Sequence, residues 1–99
     1  MAAWVYILKC ADRSYYTGCT IDLDQRLGQH ADGTFGGYTS TRLPVEMVWS
    51  NEFQSIREAA DFERRVKRWS RAKKEALIRG DYDDLPRLSA RGFRPKKRR

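Results

Sequence analysis

Ninety-nine residues, 40% hydrophobic and 12% aromatic, are enough for one domain with a modest core. No apolar run is long enough to cross a membrane, and the opening MAAWVYILKC lacks a basic stretch before its apolar run, so a cytoplasmic protein without a signal peptide is expected. The net charge of +7 is one-sided: residues 1–50 hold four Lys/Arg against five Asp/Glu, and residues 51–99 hold sixteen against eight, which points to a polyanion partner, most simply nucleic acid.

Trp4 to Cys10 is a β-branched and aromatic run, residues 11–14 form a polar turn, and Tyr15 to Cys19 is a second short run. Together they predict a hairpin. Gly18 inside the second strand marks a bulge or the close approach of another backbone or a ligand. Cys10 and Cys19 lack disulfide-framework and metal-ligand spacing and fit small packing residues. Asp22 followed by Gln25 is a capping signature, and Leu23 and Leu27 give the apolar stripe of a helix to about Ala31. Arg26 and His30 stack one turn apart beside that stripe, at the edge of the buried face.

Asp32 to Pro44 reads as a loop with three glycines, whose Tyr38, Thr39, Ser40, Thr41 and Arg42 offer hydroxyls and one charge to phosphates. Val45 to Trp49 predicts a third strand with Val45, Met47 and Trp49 on one face. Ser55 and Glu58 form a capping box that opens a second helix, in which Ala59, Phe62 and Val66 line an apolar face. Glu63 falls within that face, ~40° from Ala59 and ~60° from Val66. A carboxylate turned toward a core is costly unless something pairs with it, protonates it or coordinates it. More plainly, it sits at the rim of the stripe or is tied to an arginine.

Ser70 predicts the N-cap of a short third helix closing at Gly80. Seven basic residues and no acid lie between Arg64 and Lys74. They make either a solvated face or a phosphate-facing ridge, with Lys67, Arg71, Lys73 and Lys74 as candidate contacts. Cations crowding the first turn of the third helix oppose its dipole, which favours the ridge. The division is thus a domain over residues 1–82 and a basic, flexible tail over 83–99. The fold expected is α+β: a three-stranded, mainly antiparallel sheet with about three helices in the order β-β-α-β-α-α.

Tyrosines on both hairpin strands, an Arg/His pair on the first helix and a carboxylate on the second suit phosphodiester hydrolysis. One carboxylate can hold Mg²⁺ with its waters, arginine can neutralise phosphate oxygens, and Tyr or His can relay a proton from water. Trp4-Val5-Tyr6, nine residues, Tyr16-Thr17-Gly18, then Arg26 eight positions on, with Glu63 in the second helix, resembles the signature of the GIY-YIG nuclease superfamily. The likeness covers roughly residues 3–80 and is strongest to small single-domain bacterial members.

That resemblance implies an endonuclease acting on DNA. Tyr6 and Tyr16 would lie near the attacking water, Arg26 would bind the scissile phosphate, and His30 would carry a proton. Glu63 would hold one Mg²⁺ or Mn²⁺. No organic cofactor or membrane partner is implied, and a role in DNA repair is. Trp4 and Thr17 replace the usual Gly and Ile, Cys19 stands where some repair members have lysine, and no asparagine lies between Trp69 and Gly80, as it does in some relatives. The other class of function is a nucleic-acid-binding module that keeps the fold without turnover. In a regular hairpin, Tyr6 and Tyr16 share a face only if directly paired residue numbers sum to an even value.

Overall fold

A computed structural model describes residues 2–81. Three antiparallel strands form one sheet in the order β2-β1-β3: β1 is Ala3–Lys9, β2 Tyr15–Thr20 and β3 Glu46–Phe53. The helices are α1 (Leu23–Ala31), α2 (Ile56–Lys67) and α3 (Arg71–Arg79). The element order is the one the sequence predicts, and a single 3-10 turn at Gly37–Thr41 breaks the stretch expected to be loop. The tail over 83–99 lies outside the described residues.

The central strand explains the layering. Ala3, Val5 and Ile7 have no exposed surface and pack with Phe53, Ala59, Phe62, Val66 and Leu77 into the hydrophobic core under α2 and α3. Tyr6 and Leu8 alternate to the opposite face and are equally buried, with His30 and Thr39 the other fully buried side chains there. A strand covered on both faces must be apolar at nearly every position, which is why Trp4 to Leu8 shows no clean alternation.

All three helices start on the predicted side-chain caps: Asp22 accepts from the Gln25 amide at 3.1 Å, Ser55 from Glu58 at 3.2 Å and Ser70 from Lys73 at 3.2 Å. Gly80 closes α3 in the left-handed region at φ 81°.

The third strand departs from expectation. It runs four residues past Trp49, and its pairing with β1 shifts between Ile7↔Trp49 and Leu8↔Met47. Val48 is the extra residue of a β-bulge, which resets the alternation and sends Met47 and Trp49 to opposite faces. Trp49 packs against the core while Met47 is exposed. A bulge leaves no mark in a hydrophobic pattern read as a regular strand.

The hairpin turn is fastened to the 3-10 segment. Arg42 Nε pairs with Asp12 at 3.1 Å, its Nη1 donates to the Tyr38 carbonyl at 2.8 Å, and the Ala11 amide donates to the Arg42 carbonyl at 2.9 Å.

Candidate active site

Tyr6 lies directly opposite Gly18, an even register sum, so Tyr6 and Tyr16 share a face as the proposed site requires. Their ring centroids are 6.4 Å apart. No register shift accompanies Gly18 in the hairpin pairing. The close approach is instead that of the Tyr6 phenol: a Cβ on Gly18 would stand 2.5 Å from Tyr6 Oη and 2.7 Å from Cζ.

His30, near the end of α1, enters from the other side. Its Nε2 is 2.9 Å from Tyr6 Oη and its Nδ1 2.7 Å from Thr39 Oγ1. The ring is fully buried, edge-on to Tyr6 at 5.6 Å and 4.4 Å from the Phe35 centroid. Burial and the Arg26 charge lower the His30 pKa, so the ring is neutral at pH 7 and carries one N–H. With the Arg26 cation acting on the Tyr6 phenol, we assign the phenol as donor to Nε2 and Nδ1–H as donor to Thr39. Burial pushes the Tyr6 phenol up to about 12, with Arg26 opposing that rise. Tyr6 is therefore a protonated phenol that can accept a proton only by passing its own to His30.

The lowered pKa of His30 has a stability consequence. The unfolded chain takes up a proton near the ordinary value of 6.5, whereas the folded ring resists it. The contribution is fully present above 6.5 and is lost as the pH falls from there toward the lower folded value. Thermal melts from about pH 7.5 to about pH 5.5 are expected to show a steeper fall in Tm for the native chain than for His30→Gln. Parallel slopes would refute a buried neutral imidazole.

Arg26, one turn before His30, is half-buried, with its guanidinium 4.7 Å from the Phe35 centroid and Nη1 3.5 Å from the Cys19 carbonyl. Among the described residues it forms no ion pair with Asp22, one turn earlier, and instead donates to the Tyr6 phenol. Tyr16 is the half-buried phenol of the pair and stacks on Tyr38 at 6.1 Å, over which the Arg42 guanidinium lies at 3.7 Å. Burial raises the Tyr16 pKa, Lys67 and Arg26 lower it, and Glu63 raises it, so all three charges act on this phenol.

Glu63 sits at the rim of the α2 face with its side chain 17% exposed, and Lys67 Nζ lies 3.0 Å from Oε2. It adjoins Cys19, whose thiol is pushed up to about 11 by burial and then by the carboxylate. The five residues Tyr6, Tyr16, Arg26, His30 and Glu63, distant in sequence, thus meet around one edge of β2. Among the described residues no three His, Cys, Asp or Glu side chains converge. One largely buried carboxylate beside two phenols and an arginine fits a hard divalent ion that completes its shell with water and phosphate oxygens.

The candidate DNA contacts divide. Thr39 is buried on His30, so it supports the site from behind; Gly18 is buried beneath Tyr6. Arg42 is held by Asp12, and Arg71 by Glu75 at 3.1 Å and the Tyr15 ring at 4.5 Å. Lys73 lies 5.1 Å over Trp69, and Lys74 is half-buried, its pKa lowered by burial and by Lys67. Tyr38 is 41% exposed. Phe35, which no sequence motif marks, packs on both His30 and Arg26, and within the basic run expected from the sequence Arg64, Arg65 and Arg68 join Asp61 and Lys67 around a cleft of about 650 Å³. The spacing of residues 61, 64, 65 and 68 on one helical face was the available signal for the cleft.

Comparison with known proteins gives the family of the chain. The family model described as the GIY-YIG catalytic domain matches residues 2–76. The UPF0213 protein BH0048 of Halalkalibacterium halodurans is 44% identical over 92 residues, covering 90% of this chain and 98% of that protein. The UPF0213 protein YazA of Bacillus subtilis is 42% identical over 73 residues, covering 74% of each. Among solved structures, the solution NMR structure of BH0048 from Bacillus halodurans superposes with a TM-score of 0.54 at 43% identity, covering 90% of this chain and 98% of that one. The NMR structure of EF2693 from E. faecalis gives 0.57 at 31% identity over 87% and 92%. From its motifs, its fold and these relatives together, the chain belongs to the GIY-YIG catalytic-domain family.

Proposed function

We propose that this protein is a divalent-metal-dependent endonuclease that hydrolyses DNA phosphodiester bonds. The observation that carries the proposal is the largely buried Glu63 carboxylate gathered with Tyr6, Tyr16 and Arg26, beside the Tyr6–His30 bond at 2.9 Å. A DNA-binding surface gains nothing from a largely buried carboxylate, whereas metal-dependent hydrolysis needs one beside a group that moves a proton.

Water is the nucleophile. Arg26 binds a non-bridging oxygen of the scissile phosphate and neutralises charge that grows there in the transition state. Tyr16, the phenol with exposed surface, orients the water. Tyr6 receives a proton as it gives its own to His30 Nε2, so the relay needs no phenolate beforehand. Glu63 is the residue that would hold one Mg²⁺ or Mn²⁺, which when bound polarises the phosphate and eases departure of the leaving oxygen. The exposed Tyr38 and the basic cleft along α2 contact sugar–phosphate backbone, so substrates are distinguished by DNA shape more than by base edges. That selectivity suits branched or nicked DNA of the kind that repair and recombination process.

The test is Glu63→Ala against a panel of branched, flapped, nicked and linear DNA with and without Mg²⁺. The variant is expected to keep DNA binding and lose cleavage by at least about 10²-fold. Equal nicking by variant and native protein would refute the mechanism. Tight, salt-sensitive binding by the native protein with no turnover on any substrate would instead mark a binding module.

A further inference from the structure

Lys67 lies on the basic ridge, yet its ammonium is turned inward onto Glu63 Oε2 at 3.0 Å. Glutamate one turn before lysine is the favourable order for such a pair on a helix. Burial is unequal: the Glu63 side chain is 17% exposed and the Lys67 side chain 52%. The ammonium therefore covers from the solvent side a carboxylate otherwise flanked by protein. The charge of the same ammonium is felt by Tyr16 and by Cys19, so it borders the cluster. It also supplies a positive charge beside Cys19, where that strand position carries none. Lys74 stands near enough to repel it, so the carboxylate is the partner that keeps it there.

A hard divalent ion binds a carboxylate oxygen at about 2.1 Å. An ammonium held on the same largely buried carboxylate would then face a dication at close range, and like charges repel. Both cannot hold Glu63 in the present arrangement. We propose that Lys67 is a built-in counter-cation, a positioning residue that occupies Glu63 until a divalent ion displaces it. The proposal rests on Glu63 being the metal-holding residue. It accounts for how a carboxylate stands in a basic site without repelling an approaching phosphate when no ion is bound. Once displaced, the ammonium is free at the mouth of the α2 cleft, next to Arg64 and Arg68.

Displacement is a competition, so it is read from metal affinity with no DNA present. The full chain is titrated with Mn²⁺ alone, and free Mn²⁺ is counted by electron paramagnetic resonance at fixed ionic strength. Lys67→Met is expected to bind Mn²⁺ about fivefold more tightly than the native protein, and Lys67→Arg, which keeps the charge, close to native. Glu63→Gln is expected to abolish binding in both the native and the Lys67→Met backgrounds. Circular dichroism melts verify that each variant is folded, with Lys67→Gln as a second neutral replacement.

Equal or weaker Mn²⁺ binding by both neutral variants, with Glu63→Gln still abolishing it, overturns the counter-cation and leaves the metal role of Glu63 standing. Undiminished binding by Glu63→Gln removes that role and the proposal with it. Absence of saturable binding in every variant overturns the proposal as well.

Discussion

Gly18→Ala is expected to abolish most of the proposed nuclease activity while adding only one methyl group. The new Cβ would meet Tyr6 Oη at 2.5 Å, Tyr6 Cζ at 2.7 Å and Tyr16 Cε2 at 3.2 Å. The Tyr6 phenol cannot swing aside as a surface side chain would, because it is fully buried and bonded to His30. Backbone strain is not the cause: Gly18 is an ordinary strand residue, absent from the positive-φ positions. Overpacking of this kind costs about 1–3 kcal/mol. Displacing the phenol also breaks the geometry of the proton relay, for which a loss of about 10²-fold in cleavage rate is expected. The double variant Gly18→Ala/Tyr6→Phe should be more stable than the two single changes summed, because the nearest clashing atom is gone. Strict additivity in chemical denaturation, or native activity in Gly18→Ala, would contradict the packing described.

Phe62→Ala is expected to have the largest effect on stability. Phe62 is 3% exposed, and its ring lies 5.4 Å from Phe53, 5.9 Å from Trp49 and 6.0 Å from Trp69, so it joins α2 to β3 and to the start of α3. Removing a buried phenyl ring costs about 3–5 kcal/mol, a large part of what a domain of this size possesses. A fall in Tm of about 12–40 °C follows. Glu63 is the next residue, so the carboxylate should lose its fixed place together with the helix, and cleavage should fail at temperatures where the variant is still mostly folded. Thermal melts paired with assays at low temperature check both parts.

How far the sequence discloses this depends on the range of the interaction concerned. Caps are local, and Asp22, Ser55, Ser70 and Gly80 announce their helix ends within three residues. The face carrying Ala59, Phe62 and Val66 is equally plain, and with it the anomalous position of Glu63. Parity of the hairpin is a sharper case. The condition that joins Tyr6 to Tyr16 can be written down beforehand, but the register that meets it depends on a turn in which Arg13 takes φ 73°, unusual outside glycine. The bulge at Val48 arises where β3 meets β1, so no property of residues 45–49 alone foretells it.

What stayed hidden in the site is mostly support. The sequence presents Thr39 as a loop hydroxyl for phosphate, whereas it holds His30 from inside, and Phe35 was passed over. Both lie in a glycine-rich stretch whose path is set by long-range fastening, such as that of Arg42 to Asp12. A charge run read by its sum groups Lys67 with its basic neighbours. The i, i+4 relation to Glu63 was available and distinguishes it from them.

Helix α1 has a single buried residue, and that residue is His30. The ring proposed to take the proton is therefore also the peg by which this segment is seated, and Arg26 rides on the same nine residues. Durability and turnover draw on one imidazole here, so a lineage that abandoned catalysis would still be under pressure to keep it. Finding histidine at this position in a relative is on that account poor testimony that the relative cuts DNA; the carboxylate on α2, which seats nothing, is the better witness.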